Sequence, residues 1–222
     1  ARQQCWMVDS KGLVVAGRSD LAEHKKPYAH VHAPVPDFLG AVRSLRPTAI
    51  IGVGAVPGTF TEPVVREMSR INERPVVFAL SNPTSRAECT AQQAYEWSQG
   101  RALFASGSPF DPVTLPDGRR FVPRQGNNCY VFPGVGLALV IVGALRASDA
   151  MFLTAARTLA ECTTDADLAQ GSLYPPLAGV REVSARIAVA VSEIAFRDGL
   201  AQVDRPDDLV ELVHREMYDP RY

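Results

Sequence analysis

The sequence predicts an α/β fold, a doubly wound parallel sheet followed by a helical C-terminal extension. Three observations carry this. Four short, nearly continuous apolar runs lie in the first half, as expected of strands covered by helices on both faces. Amphipathic segments alternate with them, in the rhythm of strand and crossover helix. After Pro133 the pattern turns almost wholly helical.

Residues 5–8 form the first predicted strand, ending at Asp9. Residues 36–45 read as a helix with Val35, Phe38, Leu39 and Val42 on one face. The second strand covers 49–53. A helix over 61–71 follows, with Thr61 as its cap and Pro63 in the first turn, where a missing N–H costs no hydrogen bond. The third strand covers 76–80, the next helix 90–97 with Thr90 as cap, and the fourth strand 102–105. Helices are then expected over 134–145, 149–162, 180–196 and 206–217, separated by Tyr174-Pro175-Pro176 and by Gly199. Asp149 and Asp165 stand where N-caps belong. No repeat, low-complexity run or Gly/Ser linker appears. The expected organisation is a sheet domain over 1–145, with a helical layer and extension over 146–222 packed on the same domain.

The composition excludes several function classes. The chain has 222 residues, 46% hydrophobic and 21% charged, with a net charge of −1. Its signs are mixed, so it lacks the basic stripe of a nucleic-acid surface. Four cysteines, Cys5, Cys89, Cys129 and Cys162, lie far apart without a CxxC pair, which points to a reducing compartment. The longest apolar run, 135–145, is interrupted by Gly136 and Gly143 and falls short of the roughly 20 residues a membrane helix needs. Trp6 and Asp9 interrupt the early apolar patch, so no signal peptide is expected. The expectation is a soluble, cytoplasmic protein, with an organelle matrix left open.

In an open α/β sheet the ligand sits beyond the carboxyl ends of the strands. Asp9, Gly54, Asn82 and Gly107 fall at such ends. Two motifs there bring amides forward: Ser81-Asn82-Pro83-Thr84 and Gln125-Gly126-Asn127-Asn128. An amide donates to a carboxylate and accepts from a hydroxyl, so paired asparagines can orient a hydroxy acid without a charge of their own. Asn-Pro and Gly-Asn are also ordinary turn dipeptides, and the residues alone leave both readings open.

Longer motifs make the comparison specific. They are Ile50-Ile51-Gly52-Val53-Gly54-Ala55, Phe78-Ala79-Leu80-Ser81-Asn82-Pro83-Thr84, Ala87-Glu88-Cys89-Thr90, Phe104-Ala105-Ser106-Gly107-Ser108-Pro109-Phe110, Gln125-Gly126-Asn127-Asn128 and Gly171-Ser172-Leu173-Tyr174-Pro175-Pro176-Leu177. In this order they resemble malic enzyme, the decarboxylating malate dehydrogenase, over nearly the whole chain. The resemblance implies a Rossmann-like domain, incomplete at its N-terminal side because no GxGxxG precedes Asp9. It implies oxidative decarboxylation of L-malate to pyruvate and carbon dioxide, with reduction of NADP, or of NAD, and Mg²⁺ or Mn²⁺ at the substrate oxygen. Asn82 and Asn127 then stand at substrate-binding positions, Asn82 also near the cofactor. Asn128 is as well explained as a structural neighbour. The family's tyrosine acid, lysine base and acidic metal ligands lie upstream of the matched segment. The expectation is therefore no catalytic residue and no metal ligand in this chain, which would depend on the rest of its polypeptide and, as in the family, on a homodimer or homotetramer.

Asp9 is placed where a Rossmann domain holds the adenosine ribose. Ser10 and Lys11 follow, and Lys25-Lys26 lies in the next segment, able to fold back with a cation. Within the family, Asp9-Ser10 and Lys26 resemble the NADP-preferring members; a solvated charged turn is the other reading of His24-Lys25-Lys26. Gly52 and Gly54, with Gly58, flank a strand-to-helix loop where backbone can approach the nicotinamide half, though a bare tight turn would read alike. His30 and His32 lack an acidic or cysteine partner for metal and are read as solvated or capping residues, and His214 as structural. Another nicotinamide-linked dehydrogenase and a non-catalytic nucleotide-binding module remain alternatives at this point.

Overall fold

The computed structural model describes residues 2–218. The chain forms two compact units, Ala1–Pro123 and Arg124–Tyr222.

In the first unit, β3 (Ala49–Gly52), β4 (Val76–Ala79) and β5 (Leu103–Ser106) make a parallel sheet in the order β3-β4-β5. The register aligns Gly52 with Ala79 and Ala79 with Ser106, so the three strands end level with one another. Helix α1 (Phe38–Leu45) precedes β3. Helices α2 (Glu62–Ile71) and α3 (Ala91–Trp97) make the two crossovers, the βαβ connection that parallel pairing demands. The apolar faces of these helices bury Val42, Val64, Val65, Met68, Ala94 and Tyr95 against Ile50, Val77 and Phe104 of the strands. Asp37 caps α1 by accepting from Gly40 N at 2.8 Å. Thr90 caps α3 in a reciprocal box with Gln93. Thr61 occupies the cap position of α2 without a side-chain bond, leaving Pro63 in the first turn to start the helix.

The first predicted strand requires correction. Val8–Asp9 (β1) is paired antiparallel with Gly12–Leu13 (β2), and neither belongs to the parallel sheet. The cause is the turn Asp9-Ser10-Lys11-Gly12: Asp9 Oδ1 accepts from Lys11 N at 2.9 Å, an Asx turn, and Gly12 takes φ +98°. The chain reverses instead of continuing into a crossover. The residues that go into the core are Leu13, Val14 and Val15 just after the turn. A second short hairpin, β6 (Val113–Thr114) with β7 (Arg120–Phe121), also lay outside the sequence reading.

The second unit is helical: α4 (Phe132–Ile141), α5 (Asp149–Glu161), α6 (Asp165–Ala169), α7 (Val180–Arg197) and α8 (Leu209–Glu216). Val135 and Ala138 of α4, Met151 and Ala155 of α5, and Ile187 and Val191 of α7 are buried in one cluster. The expected caps Asp149 and Asp165 are each one residue late. Ser148 and Thr164 make the capping bonds, accepting from Met151 N and Asp167 N. The two aspartates begin the helices, where their charge meets the positive end of the helix dipole. Helix α4 stops short of 145 because the chain turns at Gly143, φ +57°. Among the described residues, no helix is long and apolar enough to cross a membrane.

Candidate functional site

The level strand ends of the first unit feed two adjacent loops. After β3 come Val53, Gly54 and Ala55; after β4 come Leu80, Ser81 and Asn82. The tip of β5 supports the second loop. Ser106 Oγ donates to Ser108 O at 2.7 Å, and Ser108 Oγ donates to Asn82 Oδ1 at 2.5 Å. Gly107 permits this closeness, since a Cβ there would lie 2.1 Å from Leu80 O and 2.9 Å from Asn82 Nδ2. With its oxygen engaged, exposed Asn82 presents Nδ2, which has no protein partner among the described residues. The loop thus offers an N–H donor of fixed direction, suited to a carboxylate or a carbonyl.

Gly52 is buried at the end of β3 and Gly54 is exposed in the loop after it. Ala55 takes φ +52°, and its N–H is held by Ser81 Oγ at 2.9 Å. Ser81 in turn donates its hydroxyl to Glu88, a glutamate only 2% exposed. Burial, with the Glu88 charge next to it, pushes the Cys89 thiol up to about 12, so this cysteine is no nucleophile.

The turn after β1 is a dense charge network. Asp9 accepts from Arg18 Nη1 at 2.9 Å and Nη2 at 3.2 Å, and from Lys25 Nζ at 2.6 Å. The Arg18 fork, aided by Lys25 and the Lys11 N–H, outweighs the cost of burial and holds the Asp9 carboxyl far below the usual range. Asp20 binds the other side of Arg18 and accepts from Lys11 Nζ at 2.7 Å. Lys26, one turn along the 3₁₀ helix Glu23–Tyr28, is exposed and paired with Glu23. The lysine adjoining Asp9 is therefore Lys25, not Lys26. Ser10 is exposed and its hydroxyl has no protein partner among the described residues. Arg18 was missed by the sequence reading, where a lone arginine nine residues beyond an aspartate gives no signal.

In the second unit, Asn127 Oδ1 accepts from Cys129 N at 3.0 Å, capping the 3₁₀ turn Asn128–Tyr130. Asn127 itself is half-buried, unlike exposed Asn82. The flanks of this loop are anchored to one segment. Arg124 bonds Tyr174 O and Asp167, both at 2.9 Å, while Tyr130 donates to Pro175 O at 2.7 Å and stacks on Tyr174. Asn128 is exposed. His30 bonds Cys5 O and His32 bonds Ser44 and Ala33 O, and His214 lines a cavity of about 310 Å³ with Glu161, Glu182 and Arg186. Among the described residues no three His, Cys, Asp or Glu side chains converge as a metal cage.

A parallel sheet crossed by helices, with loops gathered at its carboxyl edge, defines the class, a Rossmann-like α/β protein. The comparisons narrow it. The malic enzyme NAD-binding domain family matches residues 1–196, and the chain belongs to that family. It is similar to the NADP-dependent malic enzyme of Rattus norvegicus, 49% identical over all of this chain and 39% of that protein, and to NADP-dependent malic enzyme 3 of Arabidopsis thaliana, 50% identical over all of this chain and 38% of that one. The Entamoeba histolytica malic enzyme crystal structure matches with TM-score 0.72 and 25% identity, over 95% of this chain and 40% of that one. The chain thus spans about two fifths of the length of these relatives.

Proposed function

We propose that the complete protein to which this chain belongs oxidises and decarboxylates L-malate to pyruvate and carbon dioxide with reduction of NADP. The observation that carries the reading is Asn82, whose oxygen is pinned by Ser108 and whose exposed Nδ2 is presented at the carboxyl edge of the sheet; Asn127, in the second unit, is proposed as a further substrate-binding residue. An N–H donor of fixed direction suits a carboxylate or hydroxyl oxygen of a hydroxy acid. The similarity to NADP-dependent malic enzymes supports malate as that acid. Malate-dependent appearance of NADPH by the complete protein is the direct test; absence of turnover with any divalent cation would refute the reading.

The residues fit NADP. Ser10 supplies a free hydroxyl at the turn, and Lys11 and Lys26 supply exposed cations for a 2′-phosphate. Asp9 carries the turn itself, its charge balanced by Arg18 and Lys25, so it does not repel the phosphate as an isolated carboxylate would. Gly52, Gly54 and Asn82 line the loops proposed for the nicotinamide half. When bound, the cofactor supplies the hydride acceptor; this chain binds and orients. Residues 1–145 are proposed as the nucleotide-binding portion and 146–222 as the helical extension, with the complete protein a cytoplasmic homodimer or homotetramer that uses Mg²⁺ or Mn²⁺.

Two results are expected. Lys26→Gln in the complete protein removes one charge-assisted bond, worth roughly 1.5 to 3 kcal/mol, and lowers kcat/KM for NADP about ten- to a hundredfold. The value for NAD barely changes. Equal losses for the two cofactors would make Lys26 a loop-supporting residue. Secondly, the 222-residue chain by itself gives no malate-dependent NADPH even with saturating Mn²⁺, because the acid, the base and the metal ligands are proposed to lie elsewhere in the polypeptide. Turnover by the purified chain would mean that Lys11 or another residue here acts as base.

A further inference from the structure

A buried carboxylate without a cation is costly unless hydrogen bonds hold it. Glu88 is such a group: it is 2% exposed and has no Lys, Arg or His partner among the described residues. Both of its oxygens address one residue. Ser81 donates its hydroxyl to Oε1 and its N–H to Oε2 at 3.4 Å. With its proton turned to Glu88, the Ser81 oxygen is free to accept from Ala55 N at 2.9 Å. A non-glycine residue at positive φ is uncommon and persists where its surroundings hold it; Ala55, at φ +52°, is held through this relay.

The backbone around Glu88 grips the same loop at its far end. Gly58 N donates to Ala87 O at 3.2 Å, and Phe60 N to Glu88 O at 3.1 Å. The carboxyl also occupies the space a side chain at position 52 would need, since a Cβ on Gly52 would lie 2.3 to 2.6 Å from Glu88 Cδ, Cγ and Oε1. One side chain therefore ties together the ends of β3 and β4, in the two loops that carry Gly52, Gly54 and Asn82.

We propose that Glu88 is a positioning residue for the reaction, acting through Ser81 to fix Asn82 and the 52–55 turn in the geometry that receives substrate and cofactor. This rests on the reading given under Proposed function. An apolar residue would fill the space, but only an acceptor on both Ser81 groups orients the hydroxyl toward Glu88 and leaves its oxygen for Ala55.

The test uses the complete protein with Glu88→Gln, Ser81→Ala and Asn82→Ala, alone and in pairs. Glu88→Gln and Ser81→Ala each lower malate kcat/KM by about tenfold, the value of one lost hydrogen bond. Each pair with Asn82→Ala loses less than the product of the single losses, by a factor of about three or more, as coupled neighbours do. Hydrogen exchange at the Ala55 amide becomes faster in both. Gly52→Ala, which displaces the same carboxyl, accelerates that exchange too. Losses that multiply fully with Asn82→Ala, or an Ala55 amide as protected as before, would make Glu88 a packing residue only. If Glu88→Gln fails to fold, Ser81→Ala decides, since it deletes only the hydroxyl. A wild-type protein inactive on malate would overturn the proposed function, while exchange at Ala55 would still decide whether Glu88 holds the loops.

Discussion

For the malate activity proposed above, replacing Asn82 and Asn127 together by alanine lowers kcat/KM by about 10²- to 10⁴-fold in the complete protein. Each amide has its oxygen engaged, Asn82 by Ser108 and Asn127 by the Cys129 N–H, so what each offers a ligand is Nδ2–H. A hydrogen bond to a charged oxygen is worth roughly 1.5 to 3 kcal/mol, and 1.4 kcal/mol is a decade, so two such bonds give this range. The affinity for NADP falls much less, because its phosphate contacts are proposed on Ser10, Lys11 and Lys26. Aspartate at either position serves as a sharper probe. It keeps the shape, loses the N–H and places a negative charge against the substrate carboxylate, so it is worse than alanine. Aspartate variants as active as wild type would show that neither amide meets an anion.

Much of the fold was legible from local pattern. The strands β3, β4 and β5 are short apolar runs between turn residues, and the helices around them carry one apolar face, so each element announces itself without knowledge of the others. The failures fall where a turn decides the outcome. Apolar residues 5–8 look like a sheet strand, but the Asx turn at Asp9 and the positive φ of Gly12 reverse the chain. At Ser148 and Thr164 the hydroxyl one residue upstream outcompeted the aspartate, because a cap must be placed before the first helical residue.

The site was legible in part, for a different reason. Asn82 and Asn127 stand out as amides at loop positions. Their controlling partners do not: Ser108 lies 26 residues from Asn82, and the Arg18 that engages Asp9 lies nine residues along with no periodicity to mark it. Glu88 is the clearest case. Its meaning depends on burial and on Ser81, and in sequence it is one acid among 24 acidic residues. Side chains proposed to meet ligand can be picked by residue type and place; those that orient them emerge only when the strand ends are brought level.

Phe104→Ala destabilises the first unit by about 3 to 5 kcal/mol, the usual range for deleting a buried aromatic ring. Phe104 is fully buried on β5, an outer strand of the three-stranded parallel sheet. It meets the Tyr95 ring edge-to-face at 5.7 Å and that of Phe110 at 6.4 Å, contacts that add to the area term. The alanine leaves a cavity between α3 and β5 that neither can close without breaking the Val77–Phe104 register. Denaturant titration reads this as a lower midpoint with unchanged slope. Tyr95→Phe, in the same cluster, has the opposite character: the Tyr95 hydroxyl is buried with no hydrogen-bond partner among the described residues, so removing it relieves an unsatisfied group and leaves stability equal or higher by about 1 kcal/mol. Because β5 leads directly into Ser106-Gly107-Ser108, Phe104→Ala also loosens the support of Asn82; for the activity proposed above, KM for malate rises near the unfolding midpoint while the NADP-to-NAD preference stays constant. A Phe104→Ala protein as stable as wild type would mean that the strand is not central to the core, and the level strand ends on which the site is built would lose their basis.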